Sequence, residues 1–102
     1  YTRVWKEVKG KKPHPEAYGM SGAESVVRAN DASPKWDEAT GQYYAEFKSS
    51  GATYKIWLEE ETSLKKKLEV VKKNKTAGVA FWKLGFERAV TWTTIADAVR
   101  GW

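Results

Sequence analysis

The chain is short and basic, with 102 residues, a formal net charge of +5 and no cysteine, so disulfides, thiolate metal sites and a cysteine nucleophile are excluded. Its 41% hydrophobic and 30% charged residues are typical of a globular protein rather than a disordered one. No apolar run approaches the roughly 20 residues that a membrane-spanning helix needs. Six tryptophans and five tyrosines suit protein cores, sugar rings and nucleobases equally, so composition leaves the ligand class open.

The first third of the chain predicts a strand, a loop and a helix. Tyr1–Trp5 consists largely of β-branched and aromatic residues and is typical of a short strand. Residues 10–15 contain a glycine and two prolines and indicate a loop. Ser21 and Glu24 have the spacing of a capping box, which predicts a helix that ends near Asn30. The inward stripe of this helix is predicted to be Ala23, Val26 and Val27.

Two alternating segments in the middle of the chain predict a β-hairpin. Gln42–Lys48 and Tyr54–Leu58 both alternate between apolar and polar positions, as half-buried strands do. The residues between them, 49–52, are small and include a glycine, which favours a tight turn. A short strand at residues 35–37 is expected to join this sheet, which would pack on the predicted helix.

The last third predicts a helix, a strand and a second helix, the order of a parallel α/β fold. Leu64, Leu68 and Val71 recur at helical spacing. Ala77–Trp82 is a continuous apolar run, as expected of a strand buried on both faces. The final helix is predicted to carry its apolar stripe on Trp92, Ile95, Ala96 and Val99.

A strand of this buried type needs parallel neighbours, and the chain offers only Tyr1–Trp5. We therefore interpret the chain as part of a larger α/β protein. We also expect both strands to expose unpaired edges, which favours self-association.

Four motifs carry a family resemblance. They are Tyr1-Thr-Arg-Val-Trp5, Trp36-Asp-Glu-Ala-Thr-Gly-Gln-Tyr-Tyr44, the run from Tyr54 to Ser63 with Lys66-Lys-Leu68, and Gly78-Val-Ala-Phe-Trp82-Lys-Leu-Gly85. Their order and spacing resemble the C-terminal part of family 18 glycoside hydrolases, most closely the spore-associated bacterial group that acts on cortex peptidoglycan or related N-acetylglucosamine polymers.

The resemblance implies an α+β fragment of a (β/α)8 barrel. Residues 1–8 would be the seventh barrel strand, residues 9–53 a small α+β insertion domain, and residues 54–102 the C-terminal barrel segment with the eighth strand and the last helix. It also implies a secreted protein associated with the cell wall or the spore.

The implied activity is hydrolysis of β-1,4-linked N-acetylglucosamine-containing glycans, as in chitin or peptidoglycan, by substrate-assisted retention. In the family, a glutamic acid protonates the leaving oxygen while the acetamido carbonyl of the substrate attacks the anomeric carbon. The acidic signature Asp-x-x-Asp-x-Asp-x-Glu that supplies this chemistry does not occur in these 102 residues. The chain alone is therefore predicted to be inactive, and we predict no cofactor and no metal site.

Three positions match substrate-groove residues of the family. Trp82 matches the tryptophan of the eighth strand that lies beneath the cleaved sugar, and Tyr1 and Arg3 match an aromatic and basic pair at the end of the seventh strand. Without the resemblance, Trp82 would be read as a core residue, Arg3 as a solvated side chain and Tyr1 as a frayed terminus.

Other aromatic residues admit structural interpretations. Trp36, Tyr43 and Tyr44 suit either sugar contacts or the core of the insertion domain, with the core favoured. Trp57 and Trp92 are predicted to be structural. His14 has no partner at ligand spacing and is predicted to be a solvated loop residue.

Two other functions compete with a hydrolase fragment that contacts a glycan and the rest of its parent barrel. One is an autonomous carbohydrate- or peptidoglycan-binding module. The other, a basic nucleic-acid-binding domain, is disfavoured because the aromatic residues are not interleaved with the lysines as a stacking platform requires. We therefore expect no nucleic-acid partner and no membrane contact.

Overall fold

A computed structural model describes all 102 residues and shows one five-stranded sheet with three helices. The elements in chain order are β1 (Thr2–Glu7), β2 (His14–Tyr18), α1 (Met20–Ala29), β3 (Lys35–Asp37), β4 (Gln42–Ser49), β5 (Ala52–Leu58), α2 (Glu61–Lys73) and α3 (Ala89–Val99). The sheet order is β2-β1-β5-β4-β3, and every pair of neighbours is antiparallel. The predicted α+β class is confirmed. None of the helices is long and apolar enough to cross a membrane.

The predicted hairpin is confirmed as β4 and β5. Ala45 lies opposite Ile56, and the two strands close at the pair Ser49 and Ala52. The turn residues Ser50 and Gly51 both have positive φ, 50° and 77°. Two left-handed residues in a two-residue turn match the right-handed twist of the flanking strands, which is why small residues are favoured there. The short strand at residues 35–37 also forms as predicted, as β3.

The core lies between α1 and one face of this sheet, which we call the inner face. Val4, Ala45 and Ile56 contribute the sheet side, and Ala23 and Val27 of α1 cover them. Because side chains alternate along a strand, residues next to these in sequence point to the opposite, outer face. The outer face carries Arg3, Trp5, Lys55, Trp57, Tyr44 and Glu46.

Helix α1 begins two residues earlier than predicted, because its N-cap is Gly19 rather than Ser21. The Met20 amide donates a hydrogen bond to the carbonyl oxygen of Phe86 at 2.7 Å. This long-range contact satisfies a free amide of the first helical turn, a task that a capping side chain would otherwise perform. Glu24 accepts a hydrogen bond from Arg88 instead, so the predicted capping box is wrong.

The predicted loop at residues 10–15 is shorter than expected, because His14 and Pro15 already belong to β2. Pro15 lies opposite Trp5 in the sheet. A proline has no amide to donate, so it is tolerated here because β2 is an edge strand.

The predicted strand at Ala77–Trp82 is wrong, since these residues have no regular structure and are exposed. The apolar run has the composition of a buried strand but no parallel neighbour in this chain to pair with. β1, by contrast, pairs on both sides, with β2 and β5. The edges of the sheet are β2 and β3 rather than the two strands that we expected to have unpaired edges. Self-association itself stays a prediction.

Helix α2 agrees with its prediction, whereas the buried stripe of α3 does not. The predicted inward residues Leu64 and Leu68 of α2 are buried. In α3 the buried residues are Thr91 and Thr94, while Trp92 is 49% exposed. Of the predicted stripe, Trp92 and Ala96 are thus exposed, while Ile95 and Val99 are only partly buried.

The sheet joins strands from all three predicted parts of the chain. β1 comes from residues 1–8, the next three strands from residues 9–53, and most of β5 from the segment that starts at residue 54. The division into barrel and insertion segments stays a prediction.

Candidate functional site

A large cavity of about 890 Å³ lies between the outer face of β1 and β5, the helices α2 and α3, and the segment 79–87. Its walls are mostly hydrophobic. The three residues singled out by the sequence, Tyr1, Arg3 and Trp82, all line it. The fold thus brings them to one cavity although Trp82 follows Arg3 by 79 positions in the sequence.

Tyr1 and Arg3 reach the cavity from the start of β1. The ring of Tyr1 lies 5.7 Å from that of Phe86, centroid to centroid. Arg3 stands on the outer face, and the ion pairs of the chain do not include it. Its guanidinium donors are therefore available to a ligand with several oxygens.

Trp82 is the most exposed aromatic residue of the cavity, with 76% of its surface accessible. An indole this exposed loses hydrophobic stabilisation unless something covers it. It lies on the irregular segment between α2 and α3, where Lys83 places its ammonium 4.8 Å from the centre of the Phe86 ring. The segment thus brings an uncovered aromatic face to the rim of the cavity.

This segment is fastened to the rest of the fold by Arg88. The Arg88 guanidinium binds Glu61 through two hydrogen bonds of 2.5 and 2.6 Å and also donates to Glu24. Both bonds to Glu61 come from one nitrogen, Nη2, while Nη1 donates to Glu24. Charge-assisted hydrogen bonds of this kind are among the stronger ones in proteins. One side chain therefore ties the start of α3 to both α1 and α2. Sequence reasoning missed this cluster because its members lie far apart along the chain.

Glu87, the last residue of the segment 79–87, also lines the cavity. Hydrogen bonds lower the pKa of its carboxyl group, first from its own backbone amide, then from the Gly85 amide at 2.8 Å and the Trp92 indole. Because each bond favours the ionised form, Glu87 holds a negative charge at the edge of the aromatic cavity.

Two further residues line the cavity although the sequence did not single them out as site residues. Trp57 was predicted to be structural, yet it is half-buried on the cavity wall, and its ring centre lies 4.8 Å from that of Tyr44. Glu59, which lies between β5 and α2, also lines the cavity. Its carboxylate accepts a hydrogen bond of 2.6 Å from the Ser63 hydroxyl and another from the Lys67 ammonium. Strict alternation from the buried Ile56 would have placed Trp57 on the outer face.

The three aromatic residues left open by the sequence divide between the two faces of the sheet. Trp36 and Tyr43 form an edge-to-face pair at 5.1 Å, and Tyr43 packs against the inner-face core. Tyr44, one position on, lies on the outer face beside Trp57. Burial, followed by the nearby Glu46 carboxylate, raises the pKa of the Tyr44 hydroxyl.

His14 lies outside the large cavity. It is exposed at the start of β2 and lines a smaller cavity of about 460 Å³ on the inner face, with Glu16 and Tyr18 nearby.

Among known proteins, no family model matches this chain. The cortical fragment-lytic enzyme of Bacillus subtilis (strain 168) is 25% identical over 84 residues, which are 79% of this chain and 20% of that enzyme. The enzyme of the same name from Bacillus anthracis is 22% identical over 86 residues, with coverage of 83% and 20%. The chain thus spans about a fifth of the length of the curated relatives it matches.

Solved structures of similar proteins share the fold over nearly the whole chain. The spore cortex-lytic enzyme SleL of Bacillus cereus aligns with a TM-score of 0.83 at 20% identity, covering 96% of this chain and 24% of SleL. A family 18 N-acetylglucosaminidase from Paenibacillus barengoltzii aligns with a TM-score of 0.65 at 27% identity, covering 96% and 30%. The predicted resemblance is confirmed: over most of its length the chain is similar to a segment of family 18 glycoside hydrolases.

Proposed function

We propose that this chain forms one wall of the substrate-binding site of a glycoside hydrolase that acts on β-1,4-linked N-acetylglucosamine-containing glycans, in chitin or in peptidoglycan such as the spore cortex. The observation that carries the proposal is the convergence of Tyr1, Arg3 and Trp82 on one cavity of about 890 Å³. Similarity to hydrolases of cortex and chitin supports the substrate class. We also propose that the whole protein is secreted and associated with the cell wall or the spore.

The chemistry of the cavity suits a pyranose ring. The exposed indole of Trp82 offers a flat apolar surface to the C–H face of a sugar. Arg3 can donate several hydrogen bonds to hydroxyl or acetamido oxygens, because its guanidinium presents its N–H groups in a fixed fork. Glu59 supplies a carboxylate that Ser63 and Lys67 hold in place, with its side chain only 14% exposed. The cavity thus combines a flat aromatic surface, hydrogen-bond donors and a carboxylate that accepts hydrogen bonds.

In the proposed reaction these residues bind and orient the glycan and transfer no proton. The glutamic acid that protonates the leaving oxygen belongs to the Asp-x-x-Asp-x-Asp-x-Glu signature, which these 102 residues do not contain. The acetamido carbonyl of the sugar attacks the anomeric carbon, so the protein must hold that sugar firmly in position. Trp82 and Arg3, which line the same cavity, would serve that purpose.

A binding experiment on the isolated chain tests this proposal. We expect chito-oligosaccharides to shift the NMR signals of the Trp82 and Arg3 side chains, with weak affinity that Trp82→Ala abolishes. The Trp36 indole, which donates to Glu38 at 2.5 Å on the other side of the sheet, is the internal control and should not move. Shifts confined to Trp36, or binding unchanged in Trp82→Ala, would contradict the proposed site.

A hydrolysis assay tests the catalytic half of the proposal. The isolated chain is expected to release no reducing ends from chitin or from spore cortex, whereas the whole protein should release them. Hydrolysis by the pure 102-residue chain would contradict the proposal that these residues only bind the glycan, because it would require a catalytic acid among them.

A second candidate function is an autonomous glycan-binding module. It is favoured by one observation: the chain has its own core, in which α1 covers Val4, Ala45 and Ile56. Micromolar binding of a chito-oligosaccharide by the isolated chain, lost on Trp82→Ala, would favour the module over a dependent segment.

A further inference from the structure

Helix α2 and the residues just after it carry a strongly basic surface. Five lysines there are exposed, and none of them belongs to an ion pair of the chain. We call this surface the basic face and define it by Lys65, Lys66, Lys72, Lys73 and Lys75. Only one carboxylate, that of Glu69, occurs between the first and the last of these lysines. The basic face therefore concentrates positive charge on a chain whose net charge is +5.

The helical repeat explains why these lysines share the exposed side of α2. Leu64, Leu68 and Val71 form its packed side, with the two leucines buried and Val71 half-buried. Because successive residues turn by about 100° around a helix, positions one and two after Leu64 and Val71 lie beside and opposite the packed side. Residues 65–66 and 72–73, all lysines, occupy those positions and lie two turns apart, about 10 Å along the axis. The basic face is thus a stripe along the helix.

The acidic residues before and at the start of α2 do not neutralise the basic face, because the fold already uses them. Glu59 pairs with Lys67, which is therefore not part of the basic face. Glu60 caps the helix by accepting hydrogen bonds from two amides of the first turn. Glu61 binds the Arg88 guanidinium. The positive charge of the basic face is left to solvent or to a partner.

Helix stability accounts for only part of this charge. Lysines in the last turn interact favourably with the helix dipole, which explains Lys72 and Lys73. Lys65 and Lys66 lie in the first half of α2, where a positive charge gains nothing from the dipole. The basic face contains no arginine, whose rigid fork suits one precisely placed anion, whereas lysine presents a compact, hydrated point charge. This composition favours a polymer with many anionic groups over a single bound anion.

The basic face lies behind a wall of the large cavity. The packed side of α2 lines that cavity through Leu64, Leu68 and Val71, and the basic face occupies the other sides of the same helix. A helix with its side chains is only about 10–12 Å across, so a polymer in the cavity can reach around it. Peptidoglycan has anionic groups for such a contact, because its peptides carry carboxylates along the glycan, whereas chitin has none.

We propose that the basic face of α2 binds the peptide carboxylates of peptidoglycan while the cavity on the other side of the helix takes a glycan strand. This inference rests on the proposed function and adds a second, electrostatic surface for the same polymer. Its contacts are exposed ion pairs, each modest in strength and weakened by salt, so several must act together. The basic face accordingly distinguishes peptidoglycan from chitin and takes no part in hydrolysis.

Co-sedimentation of the 102-residue chain with insoluble peptidoglycan tests this surface. Hydrofluoric acid strips phosphate polymers from the peptidoglycan, which leaves carboxylates as its main anionic groups, and chitin is the neutral polymer. We expect the double variant Lys66→Gln with Lys73→Gln to bind stripped peptidoglycan about fivefold more weakly, as the loss of two exposed ion pairs implies. Its binding to chitin should stay unchanged. Glutamine has nearly the helix propensity of lysine, so α2 itself is preserved.

Salt gives an independent readout on the unmodified chain. Raising the ionic strength from about 0.05 M to about 0.5 M shortens the Debye length about threefold. Binding to stripped peptidoglycan should weaken over this range, whereas binding to chitin should not. Equal salt dependence for the two polymers would contradict an ion-pair contact with peptidoglycan.

A matched control removes the same net charge elsewhere. Lys11→Gln with Lys12→Gln alters two exposed lysines in the loop between β1 and β2, and no residue of that loop lines the cavity. We expect this variant to bind stripped peptidoglycan as tightly as the unmodified chain. Equal weakening in the two double variants would mean that only net charge matters, and it would overturn the inference. Unchanged binding in both would overturn it too.

The remaining outcomes separate this inference from the proposed function. Failure of the unmodified chain to bind stripped peptidoglycan at low salt overturns the inference. Binding to untreated cell walls alone would in that case assign the basic face to phosphate polymers. The proposed function is decided by the NMR shifts that chito-oligosaccharides cause at Trp82, because these sugars are uncharged and do not need the basic face.

Discussion

Arg88 shows how one residue can fix the position of a segment that has no secondary structure. Its guanidinium is held by Glu61 and Glu24, from α2 and α1, while its backbone is the N-cap of α3. The side chain is 25% exposed, so the pair keeps part of its Coulomb attraction and loses part of it to solvent. Trp82 lies six positions earlier, in the segment that Arg88 and the Phe86 carbonyl tie to the helices.

Replacing Arg88 by methionine should destabilise the chain by about 2 kcal/mol, because two carboxylates lose their partner in a partly shielded site. Chemical denaturation measures this loss. The control is Arg100→Met, which breaks the exposed pair between Arg100 and Asp97 and should cost about 0.5 kcal/mol or less. Equal losses in the two variants would mean that Arg88 is an ordinary surface residue.

The residues of the cavity and its anchor differ in how far the sequence alone singled them out. Tyr1, Arg3 and Trp82 were found because short motifs mark them. Trp57 and Glu59 were missed because their roles follow from which face of β5 points into the cavity and from where α2 begins. Arg88 gave no local signal, since an arginine becomes an anchor only when folding brings two carboxylates to it.

Among the elements, the local patterns were most reliable where pairing partners are close in sequence. The hairpin of β4 and β5 and the helix α2 follow directly from alternation and from helical spacing. The prediction of a strand at Ala77–Trp82 was wrong because a buried strand requires neighbouring strands to pair with. Such neighbours are distant in sequence and leave no sign in the local pattern. The stripe of α3 failed for a related reason: Thr91 and Thr94 are buried by the way α3 packs, not by their hydrophobicity.

The junction between α1 and the segment that carries Trp82 depends on Gly19. A Cβ atom added there would lie 3.0 Å from the carbonyl oxygen of Phe86 and 3.1 Å from its Cα, and both are backbone atoms. Gly19→Ala should therefore cost about 1–3 kcal/mol in thermal or chemical unfolding, because the two backbones must separate. Gly78→Ala is the matched control, since a Cβ there meets nothing within 4 Å. A neutral Gly19→Ala would show that the two segments are not in close contact.

For the whole molecule, the distribution of contacts predicts two levels of stability. The sheet and α1 share the core around Ile56, whereas the segment from Ala77 to Phe86 has no regular hydrogen-bonded structure and exposes Phe81, Trp82 and Leu84. Local opening costs little where few apolar contacts and few backbone hydrogen bonds must break. Hydrogen–deuterium exchange should therefore be slowest in β4 and β5 and fast in residues 77–84, which precede the hydrogen-bonded amides of Gly85 and Phe86. Binding of a glycan over Trp82 should slow exchange in that segment and leave the hairpin unchanged, because the hairpin is already closed. A segment as protected as the hairpin before any ligand is added would contradict this order and would mean that the cavity wall is rigid in the isolated chain.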